Sequence, residues 1–197
     1  MTSIVLASSN PGKIREIQAI LQNDKILPQS QFNVLEPEET GTTFVENAII
    51  KARNAARHCK LPAIADDSGL VVDALNGAPG IISARYAGAR ASDKANLNKV
   101  LRNMQDVPPE HRTARFVCVM VYMRHADDPI PLIAQGVWEG RILSQAIGQN
   151  GFGYDPIFWV EEYQCTSAEL SPEQKNNISH RWRALHSLDQ QLASLGR

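Results

Sequence analysis

The stretch IVLASSNPGKIREIQAIL, residues 4–21, decides the fold class of this chain. It begins with a short apolar run that is typical of a buried β-strand, followed by a polar loop with a proline and a glycine. Ile14, Ile17 and Ile20 then recur at helical spacing, which predicts an α-helix. A strand, a polar loop and a helix in this order indicate a layered α/β protein.

The rest of the chain keeps alternating between apolar runs and segments of helical period. Thr43 followed by Glu46 matches a capping box, so we expect a helix from Thr43 to about Cys59. Another helix is predicted to start at Ser92, and residues 177–195 are predicted to be helical. Further strands are predicted at residues 62–65, 70–75, 115–123, 132–137 and 156–160.

Length and composition favour a single globular domain, residues 1–197, with room for two lobes. The 20 Lys and Arg against 21 Asp and Glu leave a formal net charge of -1, which lacks the basic excess of a nucleic-acid binder. Cys59, Cys118 and Cys165 stand far apart, so neither a disulfide framework nor a zinc site is predicted. The chain has no basic leader and no apolar stretch near the length of a membrane span. We therefore expect a cytoplasmic protein that binds neither membrane nor nucleic acid.

The motif SSNPGK, residues 8–13, fills the loop before the first helix with small and hydroxylated side chains. Backbone N–H groups at such a helix start carry a partial positive charge and suit a phosphate. The motif is not a Walker A loop, which has a different glycine spacing and a Lys-Ser/Thr pair. The alternative is an ordinary turn in which Ser or Asn caps the helix.

Two acidic groups are candidate metal ligands. Glu36, Glu38 and Glu39 share one loop, whereas Asp66 and Asp67 of the DDSG motif are predicted to lie at the end of a buried strand. Mg²⁺ prefers oxygen ligands and is usually held by one or two carboxylates together with phosphates and water. The alternative is that the glutamates form a solvated charge run and that DDSG is a turn.

The motifs GFGYDP, residues 151–156, and KNNISHR, residues 175–181, complete the set. Phe152 and Tyr154 offer an aromatic face to a base, and Asp155 is able to hydrogen-bond the edge of that base. The alternative is that the aromatic residues belong to a plain turn and that the His-Arg pair lies on a solvated helix face. Taken together, a phosphate loop, carboxylates, an aromatic face and a cationic helix are what a nucleoside triphosphate site needs.

Six motifs follow one another along nearly the whole chain, namely SSNPGK, EETGTTFVENAIIKA, PAIADDSGL, NGAPGIISARYAG, GFGYDPIF and ISHR. In these motifs the chain resembles the Ham1 family of inosine/xanthosine triphosphate pyrophosphatases, and most of all its bacterial dITP/XTP pyrophosphatase members. Two positions depart from the family pattern. The Ser8-Ser9 pair stands where many relatives have Thr-Gly, and Trp182 stands where a smaller residue is common.

The resemblance implies an α/β fold with a mixed β-sheet, flanking helices and two lobes around a central cleft, assembled as a homodimer. It also implies Mg²⁺ as the cofactor and hydrolysis of dITP, ITP, XTP and dXTP to the nucleoside monophosphate and pyrophosphate. Such an enzyme cleanses the nucleotide pool and keeps non-canonical purines out of DNA and RNA.

By the same resemblance, Asp67 is the proton acceptor and a magnesium ligand, Glu39 is a second ligand, and Asp66 supports the metal or positions water. The implied substrate-binding residues are Ser8, Ser9, Asn10, Pro11, Gly12, Lys13, Lys51, Ser68, Phe152, Gly153, Tyr154, Asp155, Lys175, His180 and Arg181. Those up to Lys51 are expected to hold the triphosphate, and those from Phe152 onward are expected to hold the base.

Three other classes stay open. A pyrophosphatase for methylated or pyrimidine nucleotides, as in the Maf-type proteins of similar fold, is opposed by the GFGYDP and ISHR motifs. A non-catalytic nucleotide-binding module is opposed by the presence of Glu39, Asp66 and Asp67. A nucleic-acid-binding protein is opposed by the net charge of -1.

Overall fold

The chain alternates strands and helices as the sequence predicts, in a computed structural model that describes residues 3–8, 11–22 and 24–194. In chain order the elements are β1 (Ser3–Leu6), α1 (Pro11–Ile20), β2 (Lys25–Pro28), α2 (Phe44–Cys59), β3 (Ala63–Val72), α3 (Asp93–Asn103), β4 (Thr113–Met123), β5 (Leu132–Ile142), β6 (Phe158–Val160), β7 (Cys165–Thr166), α4 (Pro172–Ile178) and α5 (His180–Ser194). Among the described residues, no helix combines the length and the apolar character that crossing a membrane needs.

The strands form one mixed sheet of seven, in the order β2-β1-β3-β4-β5-β6-β7. β1 runs parallel to both of its neighbours, with Val5 opposite Leu27 of β2 and Ala63 of β3. The chain between these parallel strands contains α1 and α2, as parallel pairing requires a long connection. β6 runs antiparallel to β5 and β7. The predicted class, α/β with a mixed sheet and flanking helices, is confirmed.

The chain divides into two compact units. Unit 1 takes in the described part of residues 1–67, 118–136 and 183–197. Unit 2 takes in residues 68–117 and 137–182. Strands β3, β4 and β5 contribute residues to both units, whereas each remaining strand belongs to one of them.

Each unit has its own apolar core. In unit 1, Ile17 of α1 and Leu188 of α5 are fully buried against β1 and its neighbours. In unit 2, the rings of Phe116, Trp138 and Phe158 pack against one another. The candidate site residues can therefore be assigned to one unit or the other, and each set has a packed core behind it.

Helix α2 begins and ends where the sequence predicts. The side chain of Thr43 accepts the backbone N–H of Glu46 at 3.3 Å, and the Glu46 carboxylate accepts the N–H of Thr43 at 2.9 Å. These reciprocal bonds satisfy N–H groups that have no partner inside the helix. Lys60 ends the helix in the left-handed conformation, with φ of 55°. The predicted capping box is confirmed.

Strand β3 corrects the prediction for the DDSG motif. The sequence predicts two strands with the carboxylate pair at a strand end, but one strand runs without interruption from Ala63 to Val72. Asp66 and Asp67 therefore lie in mid-strand and are 3% and 7% exposed. A buried aspartate is costly unless its charge is paired, and each of the two has a lysine partner. Because both charges are paired, the strand continues through residues that usually favour a turn.

The helix predicted at residues 177–195 is divided in two. α4 ends at Ile178 and α5 begins at His180, with the Ser179 backbone extended between them at ψ of 159°. The hydroxyl of Ser179 accepts the backbone N–H of Trp182 at 3.3 Å, so Ser179 caps α5. The helix is interrupted at Ser179 because its hydroxyl caps the helix that follows. Residue 195, the last of the predicted helix, lies outside the described residues.

Three short strands differ from the prediction. The strand predicted at residues 156–160 begins only at Phe158, because Pro156 lies in a turn of 3-10 helix and has no N–H to donate to a ladder. β2 and β7 are not predicted from the sequence. With four and two residues they are too short to carry a visible alternation of apolar side chains.

Candidate active site

Asp66 and Asp67 point to opposite faces of the sheet, because side chains alternate along a strand. Ile64, on the same face as Asp66, belongs to the core that α1 helps to build. Ala63, on the same face as Asp67, packs with Ala55 of α2. The neighbouring carboxylates therefore meet lysines that come from two different helices.

Asp66 is paired with Lys13, from the first turn of α1. The Nζ of Lys13 donates to both carboxylate oxygens, at 2.9 and 2.8 Å. The Asp66 side chain is 2% exposed and that of Lys13 is 24% exposed, so the cation keeps access to solvent. A phosphate that approaches Lys13 also meets the N–H groups at the start of α1, which favour an anion.

Only part of the SSNPGK motif is described. Ser8 follows β1 and is 8% exposed. Ser9 and Asn10 lie outside the described residues, so their substrate contacts stay predictions. Pro11 and Gly12 open α1, in agreement with the preference for proline in the first turn of a helix.

Helix α2 brings a second lysine to the other carboxylate. The Nζ of Lys51 donates to Oδ1 of Asp67 at 2.8 Å and to Oε1 of Glu39 at 3.1 Å. One turn earlier on α2, the fully buried Asn47 places its Nδ2 3.5 Å from Oδ2 of Asp67 and accepts the backbone N–H of Gly41 at 2.9 Å. Unit 1 therefore joins the acidic loop, α2 and β3 around Asp67.

The pKa values of both partners in this ion pair are raised, for different reasons. Burial raises the pKa of Asp67 above its ordinary value, although the charge and hydrogen bond of Lys51 and the amide of Asn47 lower it. Burial lowers the pKa of Lys51, but the charge and hydrogen bond of Asp67 and the charges of Asp66 and Glu39 raise it above its ordinary value. Lys51 therefore stays positively charged at neutral pH, beside a carboxylate that binds a proton more readily than an exposed aspartate.

Glu39 and Asp67 offer the oxygen donors that a Mg²⁺ ion prefers. Their oxygens converge on one ammonium, so they are placed to share a cation. Within residues 3–8, 11–22 and 24–194, no three His, Cys, Asp or Glu side chains gather as a metal-binding group. Two carboxylates are a usual protein contribution to a Mg²⁺ site that phosphates and water complete. Glu36 and Glu38 are exposed, as expected of a solvated charge run.

The glycine-rich loop of residues 151–155, which we call the aromatic loop, is closed by the carboxylate of its last residue. Asp155 is 2% exposed, and its Oδ2 accepts the backbone N–H of Phe152 at 2.8 Å. Its Oδ1 accepts the hydroxyl of Ser167 at 2.9 Å, and the Nζ of Lys175 forms an ion pair with its Oδ2. The oxygens of Asp155 therefore accept from the loop, from Ser167 and from Lys175, and a hydrogen bond between this carboxylate and the edge of a base stays a prediction.

The two aromatic side chains of the loop have different surroundings. Phe152 is 64% exposed, and the Nζ of Lys175 lies 5.2 Å from its ring centroid. Tyr154 is 5% exposed and donates its hydroxyl to the carbonyl of Ser83 at 2.7 Å. Burial raises the pKa of Tyr154 well above its ordinary value. Of the two rings, that of Phe152 is exposed to solvent, whereas that of Tyr154 belongs to the core of unit 2, and the contact of either with a base stays a prediction.

Three further residues of unit 2 are predicted to contact the substrate, namely Ser68, His180 and Arg181. His180 is 8% exposed and stacks on Phe116, with ring centroids 4.9 Å apart. Ser68 and Arg181 are half-buried. The stacking gives His180 a packing role, and contacts of these three residues with substrate stay predictions.

Three residues that support the predicted site are not found by sequence reasoning. Asn47 reaches Asp67, Ser167 holds Asp155, and Asp93 accepts the N–H of Gly153 at 2.9 Å. Asn47 precedes Lys51 by one helical turn, a spacing that places both side chains on one face of α2. This spacing could have predicted from the sequence that Asn47 lies near the partner of Lys51. The other two contacts join distant parts of the chain and leave no local pattern.

Comparison with known proteins agrees with these motifs. A model of the Ham1 family matches residues 4–191. The dITP/XTP pyrophosphatase of Vibrio cholerae is 62% identical over 190 residues, which is 95% of each chain, and that of Pseudomonas aeruginosa is 58% identical over 98% of each chain. The solved structure of a HAM1 protein from Coxiella burnetii has a TM-score of 0.95 and 52% identity, covering 98% of this chain and 100% of that one. The chain belongs to the Ham1 family.

Proposed function

We propose that this chain is a Mg²⁺-dependent pyrophosphatase that hydrolyses dITP, ITP, XTP and dXTP to the nucleoside monophosphate and pyrophosphate. The observation that carries the proposal is the ammonium of Lys51, which joins Glu39 to Asp67 within unit 1. Two carboxylates beside a lysine offer a base for water, ligands for a metal and a cation for phosphate. The name dITP/XTP pyrophosphatase of the Vibrio cholerae relative supports the choice of substrate. The reaction removes non-canonical purines from the nucleotide pool.

Asp67 is the general base of the proposed reaction. Its raised pKa makes its carboxylate a better proton acceptor than an exposed aspartate. Lys51 and Asn47 contact its two oxygens separately and so hold the carboxylate in one orientation. Water that donates to this carboxylate gives up its proton while its oxygen attacks the α-phosphorus, and pyrophosphate leaves with the electrons of the broken P–O bond.

Lys13 and Lys51, two of the lysines of unit 1, place positive charge beside the phosphate oxygens of the nucleotide. Lys13 and the start of α1 suit one part of the triphosphate, and Lys51 suits the part beside Asp67. Mg²⁺ bound by Glu39 and Asp67 would add Lewis-acid neutralisation of the same oxygens. These charges favour the transition state, in which negative charge on the leaving pyrophosphate increases.

We assign recognition of the purine base to residues of unit 2. The exposed ring of Phe152 offers a stacking face, and Lys175 is a hydrogen-bond donor fixed by Asp155. A donor at this place suits the 6-oxo group of hypoxanthine or xanthine, which accepts a hydrogen bond. Adenine carries an amino donor there, and a mismatch of this kind is able to reduce kcat/KM by roughly 10⁴ or more.

The test is hydrolysis of dITP, ITP, XTP, dGTP, ATP and dTTP with and without Mg²⁺, with pyrophosphate and orthophosphate assayed separately. We expect Mg²⁺-dependent release of pyrophosphate from the inosine and xanthosine nucleotides. Release of orthophosphate would mean that another bond is cleaved. A preference for dTTP would favour the Maf-type alternative, and the absence of any turnover would favour a binding module.

We also propose a homodimer that works in the cytoplasm. The dimer is suggested by the family resemblance, and light scattering of the purified protein tests it. Cys59, Cys118 and Cys165 are free thiols, which persist in a reducing compartment.

A further inference from the structure

The middle of the aromatic loop is held by a residue from outside it. The backbone N–H of Gly153 donates to Oδ2 of Asp93 at 2.9 Å, across 60 residues of sequence. The bond between Phe152 and Asp155 joins the two sides of the loop, and Asp93 contacts the residue between them. Asp93 is exposed and is the first residue of α3, so its side chain reaches the loop from the end of a helix.

Helix α3 is held in place by its N-cap and by buried side chains, so it can fix the position of Asp93. Ser92 caps it by accepting the N–H of Ala95 at 3.2 Å. Leu97 and Val100 are buried in the core of unit 2. Asn96, 2% exposed, accepts the backbone N–H of Ala87 at 2.7 Å. The start of α3 is therefore tied to the core and to the preceding segment.

The loop needs an external support because Gly153 has little conformational restriction of its own. Its φ is 62°, and a Cβ added there would meet nothing within 4 Å. Glycine visits both signs of φ with similar ease, so local sterics do not hold this conformation. The residues around Gly153 are Phe152, whose ring is exposed, and Asp155, which fixes Lys175. A change at Gly153 is therefore expected to move Phe152, whereas Ser167 and Lys175 keep Asp155 in place.

We propose that Asp93 is a positioning residue for recognition of the purine base. By holding the N–H of Gly153, Asp93 sets the direction of Phe152 relative to the Lys175–Asp155 pair, which Ser167 holds in place. The inference rests on the proposed function, in which Phe152 and Lys175 receive the base. An acidic residue in the first turn also stabilises its own helix, so the test has to separate the loop contact from helix stability.

Three variants make this separation. Asp93→Ala removes the acceptor, Asp93→Asn keeps a side-chain oxygen that accepts the Gly153 N–H, and Ser92→Ala weakens the same helix without touching the loop. For Asp93→Ala we expect KM for dITP to rise by about three- to tenfold while kcat changes by less than about twofold, the range of one hydrogen bond. Asp93→Asn is expected to restore KM to within about twofold of the unchanged enzyme.

A purely structural role gives a different pattern. If Ser92→Ala raised KM as much as Asp93→Ala, the effect would come from the helix and the proposal would be overturned. An unchanged KM for Asp93→Ala, or no recovery in Asp93→Asn, would also overturn it.

A second measurement does not depend on turnover. Amide hydrogen exchange at Gly153 in the free enzyme should become faster in Asp93→Ala and stay slow in Ser92→Ala and Asp93→Asn. Exchange that is unchanged in Asp93→Ala overturns the loop contact, whatever the activity. Faster exchange in a chain that hydrolyses none of the tested nucleotides supports the contact and overturns the proposed function, so the two failures are distinguishable.

Discussion

The ammonium of Lys51 lies 2.8 Å from Oδ1 of Asp67, although Asp67 is in a buried strand and Lys51 is on a separate helix. The lysine therefore compensates the charge of a carboxylate that burial disfavours. The ion pair with Lys51 favours the charged form of Asp67 and holds the carboxylate in one orientation, and a general base requires both.

Asp67→Asn removes that base and keeps a side chain of almost the same shape. We expect kcat for dITP to fall by at least about a hundredfold with a smaller change in KM, because a positioned base contributes about 10² to 10⁴ in rate. Steady-state kinetics with Mg²⁺ measures the effect. Asp127→Asn, at an exposed aspartate in the same unit, is the control and should turn over normally. Near-normal turnover of Asp67→Asn would remove Asp67 from the role.

Gly151→Ala tests how the aromatic loop is packed. A Cβ at Gly151 would overlap Oδ2 of Asp155, and the φ of 75° adds strain for any residue with a side chain. Ser167 and Lys175 hold Asp155 in place, so the loop has to shift instead. We expect a loss of about 1–3 kcal/mol in the free energy of unfolding and a higher KM for dITP.

The control for this variant is Gly80→Ala. Gly80 has φ of 55°, and a Cβ there would meet nothing within 4 Å, so the variant carries the backbone strain without the overlap. Urea denaturation compares the two. Equal losses in the free energy of unfolding would show that the overlap between the added Cβ and Asp155 does not destabilise the protein.

The carboxylate of Asp128 contributes to the free energy of unfolding, and its contribution depends on pH. Its buried carboxylate accepts hydrogen bonds from the guanidinium of Arg124 and from the backbone N–H groups of Arg124 and Ile130. The hydrogen bond from the Arg124 side chain, with those backbone groups, holds the pKa of Asp128 well below its ordinary value, although burial opposes the shift. A depressed folded-state pKa stabilises the protein above the unfolded pKa of about 3.9, and this stabilisation is lost as the pH falls toward the folded value.

Asp128→Asn should therefore destabilise the protein most at neutral pH. The difference in the free energy of unfolding between the unchanged protein and the variant is expected to shrink below about pH 4. Urea denaturation at about pH 7 and about pH 3 measures it. Asp127→Asn, next to it and exposed, is the control, and a difference for Asp128→Asn that does not change with pH would contradict the assignment.

Thr43→Ala tests the capping box of the helix that carries Asn47 and Lys51. Loss of the side-chain acceptor leaves the N–H of Glu46 without its partner, and we expect a loss of about 1 kcal/mol in the free energy of unfolding. Thr43→Ser keeps the hydroxyl and should retain most of the stability. Similar stabilities for the two variants would mean that the cap contributes little.

Local features of this protein could be predicted from the sequence because their partners lie within a few residues. The capping box of Thr43 and Glu46 spans one helical turn, and the helix that it starts has the predicted ends. The apolar run before SSNPGK is β1, and the isoleucines after it lie on α1. The motif residues of the site were also recognisable, because side-chain chemistry is visible in the sequence itself.

The path of the chain through DDSG and the roles of individual carboxylates could not be predicted in this way. Asp66 and Asp67 tolerate a buried strand because Lys13 and Lys51, 53 and 16 residues away, pair with them. Asp155 accepts from Ser167, 12 residues away, and pairs with Lys175, 20 residues away, and neither partner is visible from the GFGYDP motif itself.

The sequence by itself determined the α/β class, the start of α2 and the identity of the chemical groups, since these depend on local spacing and residue type. Only the tertiary structure decided which lysine compensates which carboxylate and which aromatic ring stays exposed. The physical reason is that the cost of burying a charge or leaving a ring in water depends on partners that folding brings from distant parts of the chain.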